Sequence, residues 1–293
     1  MPLRLTPPRS LPRLAASIGI LTALAACGTV LLNETGSLTR YDRLVSSEET
    51  ASRAKIYLDP AALPQTRTVR IIPTEFSEAV APGLTPVERK LVANAADRAL
   101  CYELSLRYDV VSTRKADLTI RAAVTRAELT NVPAAGATIA TSAAVTIASQ
   151  VGVGFATAVG RVPIPRLPIG LGSLTVEAEA LDRRRDQRAA MVWGGAANSF
   201  TNQARVSPAS DIYDLAGEFG QDFGFFLATG QDPFKAALTL PTYDRVRITV
   251  LGEAPLDPDC EAFGRAPGID GMIGDYIGLP PDWTDKGPAA RSN

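Results

Sequence analysis

The sequence predicts an α+β fold: a mostly antiparallel sheet with two helices packed on one face, plus an irregular C-terminal extension. Three observations point there. The stretches DLTIRAAVTRAEL (117–129) and SLTVEAEALD (173–182) alternate apolar and polar residues, the period of a strand with one buried face. Two segments, opening at Thr85 and at Ser207, place apolar residues three and four apart, the period of a helix. The resulting order β-α-β-β-β-β-α suits helices gathered on one side of an antiparallel sheet. Apolar residues make up 46% of the 293, enough for a sizeable core. Lys and Arg number 30 against 31 Asp and Glu, which argues against a nucleic-acid binder, since that needs a basic face.

In chain order, residues 28–62 show no long periodic pattern and read as a tether plus a first edge segment. TRTVRIIPTEF (66–76) is a β-branched strand ended by Pro73. APGL (81–84) is a turn. Thr85, Pro86 and Glu88 then form a helix start, with Thr85 as N-cap, Pro86 at the first helical position and Glu88 completing a capping box. This helix is expected to run to about Tyr108. Its stripe is Val87, Leu91, Ala95, Ala99, Tyr102 and Leu106, widened by Val92, Ala96, Leu100 and Leu104. YDVVS (108–112) is a short strand, and in the next strand Leu118, Ile120, Ala122 and Val124 share the buried face. Val176, Ala178 and Ala180 do the same in the first strand of a hairpin whose turn is the charged DRRRDQ (182–187). Ser207-Pro208 opens the second helix, with Phe219, Phe223 and Phe226 in its stripe. Gly217, Gly220 and Gly224 lie together on another face, weaken the helix, and mark a close approach of backbone. YDRVRITVL (243–251) is expected as a last strand. The chain beyond Gly252 is rich in proline and glycine.

The N-terminus carries an address. Arg4, Arg9 and Arg13 precede an uncharged apolar run, Leu14 to Ala26, of signal-peptide length and too short for a stable membrane span. Leu24-Ala25-Ala26-Cys27 closes it and resembles the lipobox of bacterial lipoproteins. That resemblance implies a diacylglyceryl group on the Cys27 sulfur, cleavage before Cys27 and acylation of the new amino group. Gly28, rather than aspartate, implies by resemblance the outer membrane, with the body on its periplasmic face. Losing residues 1–26 removes three arginines and no acid, moving the formal charge from −1 to −4, so lipid rather than charge would anchor the protein. The expected organisation is a signal peptide (1–26), a lipidated N-terminus and tether (27–62), an α+β domain (63–251) with an apolar insert (134–172), and a C-terminal extension (252–293).

Cys101 and Cys260 remain, an even pair for an oxidising compartment. Cys101 sits beside the first helix's stripe and Cys260 in the loop-like LDPDCEAFG. A disulfide between them would pin the tail to the helix.

At this point the order of segments resembles a family. GSLTRYDRL (36–44), RTVRIIPTEF, the helix from Thr85, ADLTIRAAVTRAELTN, LGSLTVEAEALD and AAMVWGGAANSF follow one another as in bacterial lipoproteins of the domain of unknown function 3313 family. The resemblance covers roughly Gly36 to Ala228 and brings no activity and no functional residues. The RRRDQ turn departs from the Thr-Gly turn usual in that hairpin, and the tail reads as a subgroup extension.

Chemistry is limited by what is missing. The chain has no histidine, which excludes histidine triads, histidine zinc sites and histidine acid–base work. No phosphate loop or dinucleotide fingerprint is present, and no cofactor or metal is expected. Glu177 and Glu179 share a strand face and would be an acid–base pair at most; the plainer reading is a solvated face near Arg183 to Arg185. Asp257, Asp259 and Glu261 offer oxygen ligands without EF-hand spacing. Trp193 and the phenylalanines read as core. The insert is the most unusual stretch: no charge occurs between Glu128 and Arg161, and small residues recur every fourth position from Ala140 to Gly160. Both a helix with a small-residue seam and a β-hairpin satisfy that pattern. The sequence thus leads to a non-enzymatic, lipid-anchored envelope module for binding, assembly or accessory transport. Its expected contact is the membrane, through lipid; residues 137–160 read first as a core insert, with an element that binds an envelope protein partner and a membrane-inserting element as the other readings. The alternatives are a pore or secretion-assembly subunit, or a carboxylate hydrolase.

Overall fold

The computed structural model describes residues 30–48, 52–113, 115–140, 170–199, 202–237 and 240–288. Among them, seven strands form one sheet: β1 (Val45–Glu48), β2 (Ser52–Leu58), β3 (Thr68–Ile71), β4 (Asp109–Val110), β5 (Leu118–Glu128), β6 (Ser173–Asp182) and β7 (Gln187–Ala196). Their order is β1-β2-β7-β6-β5-β3-β4, antiparallel except where β3 pairs with β4 and β5. Helices α1 (Pro86–Ser105) and α2 (Ser210–Thr229) pack side by side on one face. The fold class therefore stands as the sequence indicates.

The start of α1 follows from local chemistry. The Thr85 hydroxyl accepts the Glu88 N–H while the Glu88 carboxylate accepts the Thr85 N–H, satisfying two donors that a helix start leaves open. The helix ends at Ser105, earlier than the pattern implies. Val92, Ala96, Leu100 and Leu104 are its buried core, whereas Val87 and Leu106 of the expected main stripe are exposed. The shift has a cause: α1 is covered by the sheet, by α2 and by the extension at once, so its buried arc is wide and off-centre. α2 is preceded by a turn in which the Ser207 hydroxyl accepts the Ala209 N–H. It ends at Gly230, whose φ of 74° is the left-handed cap that glycine favours. Trp193, Phe219 and Phe223 are fully buried between helix and sheet, with Trp193 edge-on to Phe219.

The helices meet at glycine. A Cβ on Gly220 would stand 2.2 Å from the Ala96 carbonyl oxygen, and one on Gly224 would stand 2.5 Å from the Glu103 Cβ. Gly217 differs: nothing lies within 4 Å of its missing Cβ.

Two expectations change. The expected first edge segment is present, as β1 at the edge of the sheet, but the rest of segment 30–62 is more than a tether: it also supplies β2, and residues 30–44 cross the second face of the sheet. There Leu38 packs on Ala190 and Val192 with Leu32, Tyr41, Leu44 and Tyr57 around them. YDRVRITVL is not a strand. Thr242 caps a helical turn, Tyr243–Arg245, that runs on as a π-helical stretch, Val246–Val250. Its alternation of Val246, Ile248 and Val250 mimics a strand, but Arg245 pairs with Glu103 and docks the segment on α1. Only Ile248 of the three is buried.

The extension is folded. It contains 3-10 turns at Pro258–Phe263 and Pro281–Trp283 and the helix α3 (Ile269–Ile277). The disulfide Cys101–Cys260 joins it to α1 across 159 positions of chain. Asn94 also donates to the Phe263 carbonyl, and Asp257 accepts the Val110 N–H. Residues 132–140 are helical. The choice between helix and hairpin for residues 137–160 otherwise falls outside the described residues.

Candidate functional site

The acidic pair on β6 is not a solvated face. Glu177 and Glu179 are buried, under residues 35–41 of the N-terminal strap. The Glu177 carboxylate accepts the N–H groups of Thr35 (2.7 Å) and Ser37 (3.1 Å) and the Tyr41 hydroxyl (2.5 Å). Glu179 accepts the Thr39 N–H (2.8 Å) and hydroxyl (2.9 Å), the Gln187 amide (2.8 Å) and Arg121 Nε (2.7 Å). Glu177 also lines a cavity, of about 430 Å³, with Gly36, Ser37, Glu75 and Arg121. All four carboxylate oxygens are engaged, and the pair holds the strap. The strap is built for it: Thr35, Gly36, Ser37 and Thr39 have short side chains that let backbone N–H groups reach a carboxylate. Hydrogen bonds to ionised groups are the stronger kind. The strap hydroxyl also feels the charge: burial, with Glu177 adding to it, raises the pKa of Tyr41.

Another open cavity lies between α1, α2 and the extension, with a volume of about 400 Å³. Ala95, Ala99, Gly217 and Ile248 give it apolar walls, and members of three ionic clusters contribute to its lining. In one cluster Arg98 Nη2 donates to the Tyr213 hydroxyl (2.9 Å) and to Asp285 (2.8 Å), and Tyr213 donates to the same Asp285 oxygen (2.6 Å). In another, Arg205 reaches Asp214 (2.6 Å) on α2 and Asp275 (2.7 Å) on α3. Glu103 and Arg245 form a third pair. Burial raises the Asp214 carboxyl to about 6, with Asp275 adding and Arg205 opposing. Burial likewise raises Glu103 against the pull of Arg245, and raises the Tyr213 hydroxyl. Arg98 Nη1 and Arg205 Nε are buried without a hydrogen-bond partner. Arg98 lines the cavity, and a buried donor without an acceptor is costly.

A wider groove runs between β3, α1 and the turn at Pro258, and Asp97 sits in its wall. Its carboxylate accepts the Thr74 N–H (3.0 Å) and hydroxyl (2.6 Å). Burial still lifts its pKa to about 7, the Thr74 bonds working the other way.

The remaining sequence candidates separate. Asp257 caps the 3-10 turn through the Asp259 N–H, while Glu261 pairs with Arg265. Among the described residues no group of three His, Cys, Asp or Glu side chains is placed to hold a metal. Cys27 lies outside the described residues. Sequence reasoning missed the cavity because its ion pairs join positions up to 187 residues apart, and no local pattern marks them. Among the described residues no helix is long and apolar enough to cross a membrane.

No curated protein matches the chain. Among solved structures, a PelC dodecamer from Paraburkholderia phytofirmans is similar at 10% identity and a TM-score of 0.34, over 61% of this chain and 99% of that one. A variant of it gives 13% and 0.35 over the same shares. Protein XCC0632 from Xanthomonas campestris, of family model DUF330, gives 12% and 0.32 over 59% of this chain and 91% of that one. The family model described as protein of unknown function (DUF3313) matches residues 33–223, and the chain belongs to that family.

Proposed function

We propose that this protein is a lipid-anchored envelope protein, fastened by acyl chains on Cys27 to the periplasmic face of the outer membrane, whose body is a non-catalytic binding module. The Cys101–Cys260 disulfide carries the reading. A bond joining two distant parts of the fold suits an oxidising compartment, which is where a lipobox would deliver the chain. Two further features support it. The Glu177–Glu179 pair is spent on holding the strap. The cavity beneath the extension combines apolar walls with polar groups of Arg98, Glu103, Tyr213 and Arg245, the make-up of a small-molecule site.

Growth with an alkyne-tagged fatty acid, followed by membrane fractionation, tests the anchor. The wild type is expected to carry the tag and sediment with membranes. The Cys27→Ser chain is expected to lose the tag and keep its leader. A Cys27→Ser chain that is processed and fractionates as the wild type does would overturn the reading.

A further inference from the structure

The helix α3 is inside out for a surface helix of a soluble protein. Its small residues face inward: a Cβ on Gly271 would meet Pro267 at 2.3 Å, and one on Gly274 would meet Thr284 at 2.7 Å. Ile269, Met272, Ile273, Tyr276 and Ile277 face out, each more than half exposed, and Trp283 is 70% exposed just beyond. Together they present an apolar surface on the order of 500 Å², the size at which a patch marks an interaction site. The charges nearby, Asp270, Asp282 and Lys286, leave it without a basic rim.

The place of this patch in the fold says what covers it. Gly278, which caps α3, accepts the Val206 N–H, and Pro208 accepts the N–H of Thr130. Thr130 follows β5 as it leaves the sheet, where Glu128, Ser173 and Ala196 lie side by side. Two residues back along β7, Val30 lies against Gly194 on the opposite face. The C-terminal end of α3 and the first described residue of the body thus stand at one end of the sheet. Cys27 is three residues before Val30, at most about 11 Å of extended chain. Acyl chains on Cys27 would hold this end of the sheet at the bilayer surface, whatever the path of residues 28 and 29.

We infer that the outward face of α3, with Trp283, rests in the lipid interface as a second membrane contact that fixes the orientation of the body. This rests on the lipid anchor proposed above. Apolar residues flanked by Tyr and Trp suit the boundary between headgroups and acyl chains, and the absence of a basic rim means that burial rather than charge drives the contact.

The test uses the full mature protein purified from membranes, reconstituted in phosphatidylcholine vesicles with brominated acyl chains, with its intact mass measured on the same sample. Trp283 is expected to lose at least half its emission, while the buried Trp193 keeps its own. Trp283→Phe is expected to remove the quenchable part. Met272→Asp with Ile273→Asp, both exposed positions, is expected to abolish quenching with an unchanged circular dichroism spectrum. Quenching should be the same in 0.1 M and 1 M salt. Acyl mass without quenching overturns the second contact. So does a dimer in detergent that the double aspartate variant dissociates, because a second copy is then the occupant. Quenching without acyl mass sinks the anchor and supports the helix contact.

Discussion

Asp97 and Glu177 are both buried carboxylates, and their surroundings set opposite expectations. Asp97 has two bonds from Thr74 and no cation bonded to it, so burial wins and its pKa rises from the ordinary 3.8 to about 7. Between those values the folded protein keeps a proton that the unfolded chain has released. Stability from this group is therefore full below about pH 4 and is lost as pH rises through 7, by about 4 kcal/mol at most. The wild-type melting temperature is expected to fall, relative to that of Asp97→Asn, as pH is raised from 4 to 8. Parallel profiles would contradict this. Glu177 instead anchors three donors, of Thr35, Ser37 and Tyr41. Glu177→Ala strands them, and urea unfolding is expected to show a loss of about 2–4 kcal/mol. The burial of neither residue was legible. Asp97 lies at the edge of a helical stripe, and Glu177 alternates with Val176 and Ala178 as a wet strand face does. What covers Glu177 is mostly backbone N–H, which leaves no mark in a pattern of side chains.

Among the elements, those with a local cause were legible. The capping box at Thr85, the alternation in β5 and the charged turn at Arg183 to Arg185 each act within a few residues, and each is present as expected. The last strand failed because a short apolar alternation fits more than one backbone, and the Thr242 cap with the Arg245–Glu103 pair chose a helical one. The helix pair makes a sharper statement. The three glycines of α2 read as one face, but only Gly220 and Gly224 touch α1. Gly220→Ala drives a methyl into the Ala96 carbonyl and is expected to cost 2 kcal/mol or more, roughly the penalty of an overpacked core. Gly217→Ala points into the cavity and is expected to stabilise by up to about 1 kcal/mol, the helix preference of alanine over glycine. Thermal melts of the two variants in opposite directions check the assignment; equal shifts would refute it.

For the whole molecule, the body is a sheet covered by helices on one face and, over β6 and β7, by its own N-terminal strap on the other. The extension is then clamped over the helices by a disulfide. The cysteine pair was legible by counting. The docking of the extension was not, since it depends on Arg98, Arg205 and Asn94 reaching residues far along the chain. Replacing both Cys101 and Cys260 with serine opens a loop spanning 159 positions. Chain entropy gives about 5 kcal/mol as the upper bound of that loss. Limited proteolysis of the double variant is expected to cut first between Gly252 and Gly268; cleavage unchanged from the wild type would mean the ion pairs hold the extension alone. The claim on which the rest depends is that residues 30–44 belong to the body, since this brings the fold within three residues of Cys27. Amide hydrogen exchange reads it directly. The Thr35, Ser37 and Thr39 N–H groups are expected to exchange as slowly as the backbone of β6, and exchange at the rate of a free chain would contradict the account.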